Sequence, residues 1–393
     1  MPEIAAHVER MPGSGVRHIL ERALRQPGAI ILAVGEPGEL VREEVRAVAA
    51  QAWHAGDLRY APNGGIPLLR EAIRDKLTRE NGLDVDVEQI WVTVGATQAL
   101  HMAMAVTLGR GDEVLVPDPG YTTFTMNAHL LQAMPVPYRL RPERAFQPDL
   151  AELEALITPQ TRAVIVNTPS NPLGSTFDRP TLEAMMALAH RHDLWVISDE
   201  VYERFTWGAP HVSVHTLDQD GRVLSVFSTS KTYAMTGARV GWLVTPPGWR
   251  STMLRVQESL VSCVDAPSQR AAAAAISGDQ SDVARAADHY RDNLAAAMAQ
   301  LDAQGLRYLP PTGAFYLWID VSHASGGDVT AWCERFLEEA GVAVAPGRAF
   351  GASGEGWIRV CVASDRASLL EGLSRLPAAS ESGSAQGAGS PHP

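Results

Sequence analysis

The stretch RVLSVFSTSKTYAMTGARVGWLV, residues 222–244, decides the fold. It opens with an apolar, β-rich run, Arg222 to Phe227, and closes with a second, Val240 to Val244. Short apolar runs of this kind, bounded by small polar residues, read as strands buried on both faces. Between them stand Ser228, Ser230, Lys231 and Arg239, two hydroxyls and two cations packed into one strand-to-strand connection.

The same pattern repeats outward from this stretch. Ile90 to Val94, Glu113 to Val116, Ala163 to Val166 and Leu194 to Ser198 read as further strands, with helices expected over Thr97 to Leu108 and Thr181 to His192. Strands alternating with helices predict an α/β fold, a mostly parallel sheet covered on both faces. Upstream, Ala29 to Val34 is expected as a short strand, and Pro67 to Arg79 as a helix with proline in its first turn. The alanine run 271–275 is expected within a long helix connecting to a second domain. From about residue 305 the strands shorten, Phe315 to Ile319 and Trp357 to Val362, around a helix from Val329 to Ala340. The expected division is an N-terminal arm with part of the smaller domain over 1–45, and a large domain over 46–275. A smaller α+β domain follows over 276–377, and a low-complexity, disordered tail over 378–393.

Composition narrows the function. The 393 residues suit two domains and a substantial core. A net charge of −12, from 33 basic and 45 acidic residues, argues against nucleic acid as the main partner. It leaves room for a small anion in a locally positive pocket. Cys263, Cys333 and Cys361 show no CxxC spacing, which predicts unpaired thiols in a reducing compartment. The first ten residues carry no apolar core and no apolar run nears the ~20 residues of a membrane span, so a cytoplasmic protein is expected. The histidines show no metal-ligand spacing, and His190 and His192 fit a helix end, so no metal is expected.

Ligands of an open α/β sheet sit outside the carboxyl ends of its strands. The polar residues there are Gly95-Ala96-Thr97 after the first strand, Asn167 and Asn171 after 163–166, and Asp199 and Tyr202 after 194–198. Ser228, Ser230 and Lys231 follow 222–227, and Arg239 precedes the next strand. Gly95 at a helix start lets backbone N–H groups approach a phosphate, and Ser228, Ser230 and Arg239 complete an anion cup. A desolvated Lys231 beside a cation has a lowered pKa, which favours the nucleophilic amine of imine chemistry. Asp199 suits a protonated pyridine nitrogen, which makes the ring an electron sink.

These residues resemble the fold-type I pyridoxal-phosphate (PLP) enzymes, specifically the class I/II aminotransferases and their bacterial aspartate/aromatic-type branch. The resemblance spans about residues 15–375. It rests on VGEPG (34–38), YAPNGGIPLLREAI (60–73), TVGATQAL (93–100), PDPGYTTF (117–124), NTPSNPLG (167–174), SDEVYE (198–203), STSKTYAMTGARVGW (228–242), PTGAFYLWID (311–320) and PGRAFGASGEGWIRV (346–360), in the family's order. The resemblance implies that Lys231 holds PLP as a Schiff base and shuttles a proton, and that Asp199 pairs with the ring nitrogen. It implies that Asn171 and Tyr202 bond the phenolic oxygen and that Tyr121 stacks on the ring. Ala96, Thr97, Ser228, Ser230 and Arg239 would hold the phosphate, joined by Tyr60 from the other subunit of a homodimer. Arg359 would clamp the substrate α-carboxylate, helped by Asn171 and the Gly35 backbone.

The chain departs from the family pattern at Gly38-Glu39-Leu40, Leu173, Ala238 and Thr97. Thr97 stands where some aspartate-specific members carry a lysine for the side-chain carboxylate. With a small apolar lid expected around Gly15, Val16 and Ile19, neutral or aromatic donors are expected to outrank aspartate, unless folding brings in Arg17 or Arg270. The expected activity is ping-pong transamination between an amino acid and a 2-oxo acid, with a C–S β-lyase on the same fold as the alternative. A regulatory PLP-binding domain fused to a helix-turn-helix is not expected, given the short stretch before Gly35.

Overall fold

The computed structural model describes residues 2–379. The expected tail, residues 378–393, therefore lies almost wholly outside the described residues. The strands, in chain order, begin with β1 (Ile30–Ile31), β2 (Ile90–Val94), β3 (Glu113–Asp118), β4 (Met134–Arg139), β5 (Thr161–Asn167) and β6 (Trp195–Asp199). They continue with β7 (Val223–Ser228), β8 (Val240–Val244), β9 (Tyr308–Leu309), β10 (Tyr316–Asp320), β11 (Val342–Ala343), β12 (Ala345–Pro346) and β13 (Trp357–Cys361).

The main sheet has the order β2-β8-β7-β6-β5-β3-β4. Its pairs from β7 to β4 are parallel, and β8 alone runs against both its neighbours. Burial on both faces explains the continuous apolar runs: every residue of β7 and β8 is buried. Helices Gly95–Thr107 and Ala266–Ser277 are among those covering it. The register sets Asn167 beside Asp199, so the carboxyl ends of β5 and β6 place an amide and an acid side by side.

A four-stranded antiparallel sheet, β12-β13-β10-β9, lies nearer the chain's end. The N-terminal segment joins this part of the molecule, because β1 pairs in parallel with β11.

Three expectations change. The strand over 29–34 shrinks to Ile30–Ile31, since among the described residues its ladder partner is the two-residue β11 alone. The sequence reading missed β4, whose Pro135 and Pro137 disfavour a strand. It lies at the sheet edge beside β3, where a strand tolerates residues without an N–H donor. The alanine run belongs to the twelve-residue helix Ala266–Ser277, which ends at Gly278. The long helix is the next one, Ser281–Ala303.

Candidate active site

Every residue expected at the site except Tyr60 lines one cavity of about 660 Å³. Tyr60 is 92% exposed and takes no part in the cavity of its own chain.

The anion cradle is built from two positive-φ residues. Gly95, at φ +69°, opens helix Gly95–Thr107, and its hydrogen faces the Arg239 guanidinium. A Cβ at Gly95 would come within 2.2 Å of Arg239 Nη2 and push the guanidinium out of the cradle, and the positive φ disfavours any side chain there. Arg239, at φ +54°, is steadied by donating from Nη1 to Thr236 O at 2.8 Å. Ser228 caps the short helix Thr229–Thr232: its Oγ accepts from Ser230 N at 3.0 Å and lies 2.9 Å from Ser230 Oγ. Helix-start N–H groups, hydroxyls and a guanidinium around one space are donors that suit an anion.

Lys231 reaches the cavity one residue further on. Its Nζ donates to Gly35 O at 2.7 Å, and burial pulls its pKa down to about 8. Arg359 and Arg239 push the same way, against Glu36 and Cys361. Asp199 ends β6 almost fully buried, and burial pushes its carboxyl up to about 7. Its carboxylate accepts from Val201 N at 3.3 Å, and among the described residues it forms no ion pair, although the charge of Lys231 opposes the rise. A buried acid without a contacting cation is the partner that a protonated ring nitrogen requires.

Asn167 positions Asn171: its Oδ1 accepts from Asn171 N at 2.9 Å, while its Nδ2 donates to Asp199 O at 3.2 Å. Asn171 Oδ1 in turn accepts from Arg359 Nη1 at 2.7 Å. Arg359 also donates to Ala33 O, and among the described residues its buried Nε has no acceptor. Its Cζ sits 4.4 Å from the Tyr316 ring centroid and 4.8 Å from that of Phe350. An arginine held this way presents a charge for a carboxylate.

Tyr202 is buried, and burial together with Tyr316 raises its pKa well above the usual range. Its hydroxyl lies 2.6 Å from that of Tyr316. Tyr121 lines the cavity and packs edge-on against Phe124, with centroids 5.7 Å apart.

Sequence reasoning did not single out Tyr316 or Phe350, although both lie in stretches that carry the resemblance. Of the two cations it left open, Arg17 lines this cavity, whereas Arg270 pairs with Asp57 beside a different one. The rest of the wall mixes apolar side chains, Val16, Leu20, Leu100 and Met126 among them, with polar ones such as Ser14, Glu36, Thr122, Thr123 and Thr236.

A mostly parallel α/β sheet whose rim carries a lysine amine, a buried acid and a cluster of anion donors suits an enzyme working through a phosphorylated carbonyl cofactor. The chain belongs to the family of class I and II aminotransferases, whose model matches residues 27–376. It is a PLP-dependent aminotransferase of fold-type I. It is 33% identical to the aspartate aminotransferase of Pyrococcus horikoshii, over 96% of this chain and 97% of that one. It is 34% identical to aromatic-amino-acid aminotransferase 2 of Thermococcus litoralis, over 95% and 97%. The structure of Thermus thermophilus aspartate aminotransferase with maleate superposes with a TM-score of 0.90 at 34% identity, covering 95% of this chain and 99% of that one. Among the described residues no helix is long and apolar enough to cross a membrane.

Proposed function

We propose that the 660 Å³ cavity is the catalytic site and that Lys231 is the amine to which PLP attaches. The observation that carries this is the union, in one cavity, of a lysine amine of lowered pKa, a buried acid of raised pKa and an anion cradle. In this reading Asp199 holds the ring nitrogen, and Ala96, Thr97, Ser228, Ser230 and Arg239 hold the phosphate. Tyr121 packs on the ring, and Asn171 and Tyr202 bond the phenolic oxygen. The bound cofactor supplies an electron-poor ring that takes up the electron pair left at the substrate Cα.

The chain's own residues do the rest. Arg359, with Asn171 and the Gly35 backbone, binds the α-carboxylate and so fixes the orientation of Cα. Lys231 Nζ, as a neutral amine, would remove the Cα proton and deliver it to the cofactor carbon that carries the substrate nitrogen. Donor and 2-oxo acid use the same cavity in turn, which gives ping-pong kinetics. The apolar part of the wall, Val16, Leu20, Leu100 and Met126, favours neutral or aromatic side chains.

Residues 46–275 form the cofactor-binding domain in this reading, and 1–45 with 276–377 the smaller one. The working unit is a cytoplasmic homodimer. Its support is the exposure of four large apolar or aromatic side chains close together in the sequence, Trp53, Leu58, Tyr60 and Leu68. Tyr60 would then reach the phosphate in the partner's site.

The test is borohydride reduction of the holoenzyme, with the adduct mapped by peptide sequencing, followed by absorbance changes on adding single amino acids. An adduct on Lys231 and conversion to the amine form of the cofactor are expected. Unchanged turnover in Lys231→Ala would overturn the proposal, and continuous release of ammonia and a 2-oxo acid with no 2-oxo acid acceptor added would assign β-elimination instead.

A further inference from the structure

Tyr316 opens β10 and is 1% exposed. It pairs in register with Cys361 on β13, and Arg359 pairs with Trp318 two positions along. Side chains two apart share a face, so Tyr316 and Arg359 are diagonal neighbours, close enough for long side chains to meet. The 4.4 Å approach of the guanidinium to the tyrosine ring is that meeting.

The hydroxyl end of Tyr316 makes two further contacts. It lies 2.6 Å from Tyr202 Oη. It also fills the space beside Gly35, where a Cβ would come within 1.9 Å of it. Gly35 O is the acceptor that holds Lys231 Nζ. One side chain thus touches the arginine, the phenol and the glycine that supports the lysine.

We infer that Tyr316 is a positioning residue whose hydroxyl donates to Tyr202 Oη, and so commits the Tyr202 proton to the phenolic oxygen of the bound cofactor. The inference rests on the roles proposed above for Lys231 and Tyr202. A phenol carries one proton and accepts through its lone pairs. If Tyr202 donates to the cofactor oxygen, the 2.6 Å contact has one direction left, from Tyr316 to Tyr202. Donors in series polarise one another, which makes Tyr202 the stronger donor. Charge drawn off the phenolic oxygen weakens its hold on the proton of the adjacent linkage to Lys231. That linkage therefore titrates at a lower pH than it would without Tyr316. The groups facing the tyrosine pair are Asp199, Arg359, Cys361 and Tyr121, and Lys231 is flanked by Glu36 and Arg239. All of them remain in the variants below.

The experiment is a spectrophotometric pH titration of the holoenzyme in wild type, Tyr316→Phe, Tyr202→Phe and the double variant. Tyr316→Phe is expected to raise the midpoint by about half a pH unit, the scale of one neutral hydrogen bond acting at one remove. Tyr202→Phe raises it further, and adding Tyr316→Phe to it changes nothing, because the effect passes through Tyr202. KM for the amino donor should stay within about twofold in Tyr316→Phe, which keeps a ring under Arg359, and rise in Tyr316→Leu. An unmoved midpoint in Tyr316→Phe, or a shift that persists in the Tyr202→Phe background, overturns the inference. A KM raised as much by phenylalanine as by leucine also overturns it, since the hydroxyl would then serve the carboxylate. Absence of any titrating band in wild type, or its survival in Lys231→Ala, would overturn the proposed site instead.

Discussion

Arg359 Nη1 donates to Asn171 Oδ1 across 2.7 Å, joining residues 188 positions apart. The pair brings a guanidinium from the smaller sheet onto the carboxyl rim of the larger one. Arg359→Lys keeps the charge and loses the planar fork, so kcat/KM should fall about a hundredfold, roughly 3 kcal/mol of transition-state binding. Steady-state kinetics with a good donor check this, and a loss under threefold would remove Arg359 from the carboxylate site.

Asp199→Asn should retain the covalent cofactor but lose turnover by about 10²–10³-fold, the scale for removing a preorganised charge partner. Stopped-flow rates of the first half-reaction measure it directly. Near-normal rates would make Asp199 structural only.

The raised pKa of Asp199 also bears on stability. With the folded value near 7 against 3.8 unfolded, the folded cofactor-free chain binds this proton more tightly. The associated stability is present below about pH 4 and lost as pH rises to 7. Cofactor-free wild type should therefore weaken relative to Asp199→Asn by a few kcal/mol over that window, at about 1.4 kcal/mol for each pH unit separating the folded and unfolded values. Urea unfolding at several pH values reads the difference, and parallel curves would contradict it.

Burial sets Lys231 near 8. Only the neutral amine attacks the cofactor aldehyde, so capture of PLP by the cofactor-free chain should quicken about tenfold per pH unit below 8 and level off above it. A plateau reached only above pH 10 would show that the amine is not desolvated.

Arg17 is exposed yet lines the cavity wall. An exposed ion pair contributes little, so Arg17→Ala should lower kcat/KM for dicarboxylic substrates by about fivefold and spare neutral ones. A donor panel decides it. Equal losses across the panel would exclude a role in specificity, and aspartate tenfold ahead of every neutral donor in wild type would sink the neutral preference.

Much of this was legible before folding, because strand ends are local features. The runs 222–227 and 194–198 each deliver their next polar residues to the sheet rim, so Asp199, Ser228, Ser230 and Lys231 follow from periodicity alone. Gly95 and Arg239 follow from the same rule, one at a helix start and one before a strand. What tertiary structure alone decided depends on pairings across hundreds of residues. The short strand Ile30–Ile31 exists only against Val342–Ala343, and the proline-bearing Met134–Arg139 only at a sheet edge. Arg17 and Arg270 look alike in sequence, and folding sent one to the cavity and the other to Asp57. Tyr316 shows why: a strand's alternation says that two faces exist, but only its register with β13 says which face meets Arg359, and only packing against Gly35 brings its hydroxyl to Tyr202.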